Sequence, residues 1–129
     1  MCGIVGIVRK ERNITEESKL KTMMNLLQHR DPDSSGIYID ERVHLGSTRL
    51  KILDLSDRAN QPFKNENYVL VFNGEIFNYQ QLKEELKSKY EFKTTSDTEV
   101  LFYALIEWGD KALSKIDGQF AFIFYNKTN

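Results

Sequence analysis

The sequence is poor in the residues that form disulfide bonds and metal centres. It contains one cysteine, which excludes an internal disulfide and a metal site made of several cysteines. Its two histidines are too few for most zinc sites. The 18 Lys and Arg residues balance 19 Asp and Glu residues to a net charge of −1, which excludes a nucleic-acid binder that relies on simple charge attraction. We therefore expect no nucleic-acid partner.

Long apolar segments are absent too. No apolar run approaches the roughly 18 residues that a membrane-spanning helix needs, so we expect no membrane partner. The apolar segment 1–8 is short, follows no basic region and precedes no small-residue cleavage site, unlike a signal peptide. These absences favour the cytoplasm as the default location.

The composition that remains is that of an ordinary globular protein. The 129 residues are 40% hydrophobic and 29% charged, a balance that allows a buried core and disfavours disorder. No linker, repeat or low-complexity segment divides the chain, and its length corresponds to about one domain. We expect residues 1–129 to form a single domain.

Apolar patterning divides the chain into strands and helices. Apolar runs bounded by turn residues predict strands at 3–9, 37–40, 43–47, 49–53, 68–72 and 119–125. Stripes at i, i+3, i+4 and i+7 predict helices at 15–29, 79–89 and 97–108, with a short helix at 110–116. Buried strands and amphipathic helices together indicate two mostly antiparallel sheets, with the first helix on one outer face and the next two on the other.

Local signals mark where several elements end. The Asn73-Gly74 pair predicts a turn that stops the strand before it. Ser96 with Glu99 three residues later forms a capping box, and Gly109 is the expected stop of the same helix. Residues 126–129 are typical of a hairpin turn whose return strand is absent, because the aromatic strand before them needs a partner on each edge. We therefore expect the front part of a longer domain.

Cys2 is the most informative residue for function. Removal of the initiator Met would leave one residue with both a thiol and a free α-amine, whose ordinary pKa values are about 8.5 and 7.7–8.0. The amine can then act as general base for its own thiol, as in N-terminal nucleophile enzymes. The alternative is a small buried side chain beside a core strand. His29 and Arg30 are another candidate catalytic pair, although cations at a helix C-terminus often have no function.

Five further residues could serve a small polar substrate, and each has an ordinary alternative. The Asn73 side-chain amide and the Gly74 N–H could donate to a developing oxyanion, or could simply form an Asn-Gly turn. Arg49 could clamp a carboxylate, or form a surface ion pair. Asp97 could receive a substrate ammonium, or cap a helix at the positive end of its dipole. Glu75 is a solvated charge unless the Asn-Gly pair is a site.

Seven motifs in one order resemble a known family. They are Met-Cys-Gly-Ile-Val-Gly at 1–6, His-Arg-Asp-Pro-Asp-Ser-Ser-Gly at 29–36, Arg-Leu-Lys-Ile-Leu-Asp-Leu at 49–55, Gln-Pro at 61–62, Phe-Asn-Gly-Glu-Ile-Phe-Asn-Tyr at 72–79, Ser-Asp-Thr-Glu-Val-Leu at 96–101 and Asp-Gly-Gln-Phe-Ala-Phe at 117–122. The set resembles the class II glutamine amidotransferase domain, most closely the N-terminal domain of glutamine-hydrolysing asparagine synthetases. It covers essentially the whole chain.

The resemblance implies a fold and a reaction. The fold would be α+β, a four-layer α-β-β-α sandwich of the N-terminal-nucleophile hydrolase type, here truncated at its C-terminal end. The reaction would be hydrolysis of L-glutamine to glutamate and ammonia. Cys2 would be the nucleophile with its own α-amine as base, and Asn73 with the Gly74 N–H would form the oxyanion hole.

The resemblance also implies a substrate pocket. Arg49 would hold the α-carboxylate of glutamine and Asp97 its α-amino group, so that both charged ends of a free amino acid meet an opposite charge. Glu75 and the backbone near Ile52 would line the same pocket. Asp31 stands where family members usually have glycine, and an aspartate takes up a positive φ there only at a cost, which predicts altered loop geometry.

Partners and cofactors follow from the same resemblance. The ammonia would pass to a synthetase domain that is normally in the same chain and absent from this one, and ATP and Mg²⁺ are expected only there. A homodimer is left open. Two alternatives to an asparagine-synthetase-like enzyme also stay open: a catalytically weakened remnant that binds glutamine or a partner, and an amidotransferase for another carboxylate such as a polysaccharide sugar acid. A third is an unrelated structural domain with a buried Cys2.

Overall fold

A computed structural model describes residues 2–11, 15–30 and 32–128. Six strands are present there: β1 Gly3–Val8, β2 Ser34–Ile39, β3 Val43–Arg49, β4 Phe63–Lys64, β5 Tyr68–Ile76 and β6 Gly118–Asn126. Three α-helices accompany them: α1 Glu17–Asn25, α2 Tyr79–Leu86 and α3 Asp97–Trp108. Short 3₁₀ helices cover Gln28–Arg30, Asp57–Ala59 and Gly109–Ser114. Among the helices in this part of the chain, none has the length and apolar character to cross a membrane.

The strands form two antiparallel sheets. The first sheet has the order β1-β3-β2, and the second has the order β4-β5-β6. In the first sheet Gly3 and Ser34 pair with the last two residues of β3, so the starts of β1 and β2 meet the end of β3. In the second sheet β5 and β6 pair over their full nine residues. This register brings the N-terminal end of β1 to the sheet edge where β3 runs out.

Three apolar clusters separate four layers. Leu20 of α1 packs against Ile7 of the first sheet. Leu45 of the first sheet packs with Val71 of the second. The remaining cluster joins β5 to α2 and α3, and its fully buried members include Leu82. The order is therefore α1, first sheet, second sheet, then α2 with α3, which confirms the predicted α-β-β-α sandwich and the side on which each helix packs.

The predicted end of β5 at the Asn-Gly pair is wrong. The strand continues to Ile76 because β6 offers a pairing partner at every position, with Asn73 opposite Ala121 and Gly74 opposite Phe120. Tertiary pairing thus overrides a local turn signal.

Two other strand boundaries also differ from the prediction. The predicted strand 49–53 is absent, since the neighbours of β3 end at the same level and the chain then leaves the sheet. β2 begins at Ser34, three residues before its predicted start, because it pairs with β3 as far as Arg49. In both cases the length of the neighbouring strand decides the boundary.

Helix boundaries agree better with the sequence. Helix α3 has the predicted bounds, and the Ser96 Oγ accepts a hydrogen bond from the Glu99 N–H at 3.3 Å. The Glu99 carboxylate does not complete the capping box, since it accepts from the N–H groups of Lys93 and Thr94 instead. Helix α1 is shorter than predicted and is followed by a 3₁₀ turn. Asp31, with its predicted effect on loop geometry, lies outside the described residues.

Candidate active site

Side-chain alternation explains why the candidate residues meet. Val43 and Leu45 of β3 face the second sheet, and Arg49 shares their face further along the strand. Val69 of β5 faces the first sheet, and Asn73 lies on the same face four residues later. The apolar layer between the sheets therefore gives way at one end to a polar cleft.

Two adjoining cavities make up this cleft, with empty volumes of about 440 and 890 Å³. Cys2, Ile52, Gly74 and Glu75 line both cavities, Arg49 and Asp97 line the smaller one, and Asn73 lines the larger one. The structure thus brings all seven predicted site residues together. In the described part of the chain, no group of three or more His, Cys, Asp or Glu side chains is placed to hold a metal ion.

The Cys2 thiol lies at the junction of the two cavities and is half-buried. Its Sγ accepts a hydrogen bond from the Leu50 N–H at 3.3 Å and lies 3.9 Å from the Leu50 carbonyl oxygen. The Arg30 Nε donates to the Cys2 carbonyl oxygen at 2.8 Å. Two segments distant in sequence therefore fix the position of Cys2.

Arg49 is a buried cation held by uncharged oxygens. Only 5% of the surface of Arg49 is exposed to solvent. Its Nη1 donates to the Ser56 carbonyl at 3.0 Å and to the Asn60 Oδ1 at 2.8 Å, and its Nη2 donates to the Asp54 carbonyl. No carboxylate within the described residues forms a salt bridge with it. Because buried charges are normally paired, the guanidinium is suited to receive an anion from outside.

Asp97 is the matching buried anion. It is the first residue of α3 and is 7% exposed. Its Oδ2 accepts a hydrogen bond from the Ile76 N–H at 2.9 Å, and no Lys or Arg among the described residues forms a salt bridge with it. Burial raises the pKa of Asp97, and the neighbouring charge of Glu75 raises it further. A bound cation would relieve this unfavourable charge.

Two donors lie on β5 beside the thiol. Within residues 2–11, 15–30 and 32–128, the Asn73 side-chain amide has no hydrogen-bond partner, so its N–H groups are free to donate into the larger cavity. Gly74 has a φ of 149°, and a Cβ there would overlap the Gln119 carbonyl oxygen and lie 2.6 Å from the Phe120 Cα. Only glycine therefore allows β6 to approach β5 so closely at this point.

The remaining candidate site residues lie at different positions relative to the cleft. Ile52 is 60% exposed at the mouth of the cleft, and Glu75 is exposed within it. His29 lies elsewhere, with its Nδ1 bonded to the Leu26 carbonyl oxygen at 2.7 Å at the end of α1. Neither His29 nor Arg30 lines either cavity, and the Arg30 Nε contacts the Cys2 carbonyl oxygen behind the thiol.

The comparisons with known proteins agree on one family. Residues 1–129 match the family described as glutamine amidotransferase domain. The chain belongs to this family. It is 42% identical over 135 residues to the glutamine-hydrolysing asparagine synthetase 1 of Bacillus subtilis, covering 100% of this chain and 21% of the relative. It is 38% identical over 129 residues to the glutamine-hydrolysing asparagine synthetase B of Escherichia coli, covering 98% of this chain and 23% of the relative.

A solved structure supports the fold of this amidotransferase domain. The glutamine phosphoribosylpyrophosphate amidotransferase of B. subtilis matches with a TM-score of 0.74 at 22% identity, over 95% of this chain and 35% of that one. The N-terminal-nucleophile hydrolase fold is thereby confirmed. The chain spans roughly a fifth of the length of the first curated relative.

Ten residues that line the cleft were not predicted from the sequence to belong to the site. They are Leu50, Leu53, Asp54, Gln61, Phe72, Ser96 and Thr98 in the smaller cavity and Gln119, Phe120 and Ala121 in the larger one. All ten lie inside motifs that carry the family resemblance, so the sequence showed the motifs but not the place of these residues in the cleft. Asp54 shows the reason, since one of its partners, Thr95, lies 41 positions further along the chain.

Proposed function

We propose that this domain hydrolyses L-glutamine to glutamate and ammonia, with Cys2 as the nucleophile. The observation that carries the proposal is one cleft containing the Cys2 thiol together with two buried charges of opposite sign, Arg49 and Asp97, neither of which has a salt-bridge partner within the described residues. A free amino acid carries the complementary pair of charges on its α-carbon. The names of the curated relatives, which are glutamine-hydrolysing enzymes, support the choice of glutamine.

Binding follows from these charges. The α-carboxylate pairs with the Arg49 guanidinium, which can offer a bidentate arrangement, and the α-ammonium pairs with the Asp97 carboxylate. With both α-groups held, the side-chain carboxamide extends toward Cys2 and Asn73. Fixing the substrate in this way converts a bimolecular attack into one between groups held in place.

The chemistry requires removal of Met1, after which the α-amine of Cys2 takes the thiol proton. The sulfur attacks the carboxamide carbon, and the resulting oxyanion accepts hydrogen bonds from the Asn73 amide and the Gly74 N–H. The C–N bond then breaks, and nitrogen leaves as ammonia with the proton returned from the amine. Water attacks the remaining thioester with the same amine as base, which releases glutamate and restores the thiol.

We propose further that the ammonia serves a synthetase domain of the same polypeptide, where ATP and Mg²⁺ would activate the acceptor. The relatives' names, and their greater length, support this reading. Aspartate is the acceptor that the names favour, and a sugar acid is the alternative. A weakened remnant that only binds glutamine is the competing function for this domain.

The test combines a glutamine-to-glutamate assay with labelling and intact mass. We expect wild-type protein to lack Met1, to release ammonia and to be labelled at Cys2 by an electrophilic glutamine analogue. Cys2→Ala should still bind glutamine, since the binding charges lie elsewhere, but should release no ammonia. A form engineered to retain Met1 should behave like Cys2→Ala because its base is an amide.

Two results would contradict the proposal. Normal hydrolysis by the Met1-retaining form would exclude the N-terminal-nucleophile mechanism. Glutamine binding without hydrolysis by a wild-type protein that lacks Met1 would favour the binding remnant. Asp40→Asn serves as the control variant, because Asp40 lies in the β2–β3 turn at the opposite end of the first sheet from Arg49.

A further inference from the structure

Asp54 joins two walls of the cleft through its carboxylate. The residue is 8% exposed, and it belongs to the loop that follows β3. Its Oδ1 accepts from the Ser56 N–H at 2.7 Å within the same loop. Its Oδ2 accepts from the Thr95 N–H at 2.7 Å and from the Thr95 Oγ1 at 3.3 Å. The loop after β3 is therefore tied to the segment that leads into α3.

The same residue also holds Arg49. The Asp54 carbonyl oxygen accepts from the Arg49 Nη2, and the carbonyl of Ser56, whose N–H is bound to the Asp54 carboxylate, accepts from the Arg49 Nη1. On the other wall, Thr95 lies two residues before Asp97. The side chain and main chain of Asp54 thus connect the Arg49 guanidinium to the segment that carries Asp97.

The segment before α3 has a second anchor that does not reach Arg49. The buried Glu99 carboxylate accepts from the Thr94 N–H at 2.8 Å and from the Thr94 Oγ1 at 2.7 Å. Glu99 fixes this segment to α3, and Asp54 fixes it to the loop of the first sheet. These two layers contribute one charge each, and the Asp54 carboxylate connects them directly.

We propose that Asp54 is a positioning residue that sets the distance between the Arg49 guanidinium and the Asp97 carboxylate, and thereby selects glutamine over the amide that is one methylene shorter. The inference rests on the proposed glutaminase function. Both α-groups of the substrate are held by the two charges, so a fixed clamp places the side-chain carboxamide at a fixed reach from the α-carbon. Only an amide of matching length then brings its carboxamide carbon to Cys2.

The ionisation of Asp54 agrees with this role. Hydrogen bonds from Ser56 and Thr95 hold the pKa of the Asp54 carboxyl well below its usual range, so the group stays charged throughout the neutral range. Replacing it by asparagine keeps the shape but turns one oxygen into an N–H₂ donor that faces another donor. The substitution therefore breaks one of the two connections without removing side-chain volume.

The test compares Asp54→Asn with a chemically matched control, Asp40→Asn. The Asp40 Oδ1 also accepts two backbone hydrogen bonds, from Arg42 at 2.9 Å and Val43 at 2.8 Å, but in a turn remote from the cleft. We expect Asp54→Asn to raise the glutamine KM by about 10- to 100-fold with kcat changed much less, and to reduce the preference for glutamine over asparagine. Asp40→Asn should change neither quantity. A glutamine KM and preference equal to those of Asp40→Asn would overturn the proposal.

Two additions keep the outcome decisive. If Asp54→Asn fails to fold, Thr95→Val takes its place in the test, because it removes only the Oγ1 contact to Asp54. We expect Thr95→Val to raise the glutamine KM about threefold. An unchanged glutamine KM would overturn the proposal. Calorimetric glutamine binding in the Cys2→Ala background separates this inference from the proposed function. If wild type hydrolyses no glutamine, the proposed reaction fails, and the dissociation constants of the two Asp variants still decide whether Asp54 positions the clamp.

Discussion

An alanine at position 74 would place a Cβ atom where the main chain of β6 already lies. The atom would overlap the Gln119 carbonyl oxygen and lie 2.6 Å from the Phe120 Cα, and neither main-chain group can rotate away. Overpacking of this kind costs about 1–3 kcal/mol. The φ of 149° at Gly74 adds about 1–3 kcal/mol for a residue with a Cβ. We therefore expect Gly74→Ala to reduce the free energy of unfolding by about 2–6 kcal/mol.

Gly109 provides the matched control for this substitution. It also has a positive φ, 58°, but a Cβ there meets nothing within 4 Å. Gly109→Ala should therefore reduce the free energy of unfolding only by the cost of the backbone conformation, about 1–3 kcal/mol. Urea denaturation followed by circular dichroism measures both losses, and the glutaminase assay shows whether kcat falls further in Gly74→Ala, whose N–H is a proposed oxyanion donor. Equal stability losses in the two variants would refute the argument from the β5–β6 contact.

Three further predictions concern the amide donor Asn73 and the buried anion Asp97. Asn73→Ala should leave Cys2 reactive toward alkylating reagents but lower kcat by about 10²–10³, the usual loss for one oxyanion donor, and an unchanged kcat would remove Asn73 from the mechanism. Burial raises the pKa of Asp97, so the glutamine KM should rise as pH falls through that raised pKa, since protonation removes the partner of the substrate ammonium; a KM that is flat from about pH 4 to 8 would contradict the assignment. Because the charge of Asp97 is unfavourable in the unliganded fold above its raised pKa, Asp97→Asn should increase the free energy of unfolding at neutral pH while it weakens glutamine binding, as urea denaturation and calorimetry would show.

Local sequence determined the elements whose ends depend on nearby residues. Helix α3 begins after Ser96 and ends at Gly109 as predicted, because a side-chain cap and a residue with positive φ act within one turn of the helix. The layer order could be predicted as well, since strands buried on both faces must lie between helices that carry one apolar stripe each. The motifs also identified every residue of the proposed substrate clamp.

Tertiary structure decided what depends on partners distant in the chain. Asn73-Gly74 carries the local signal for a turn, yet β5 runs through it because β6 pairs with every residue as far as Ile76. From the sequence alone, Arg49 could either form a surface ion pair or clamp the carboxylate of a substrate. Its burial without a salt-bridge partner in the described residues follows only from how loop 50–56 folds over it. Asp54 makes its decisive contact with Thr95, and no local pattern predicts a pair so far apart, because the free energy of that contact depends on the packing of two different layers.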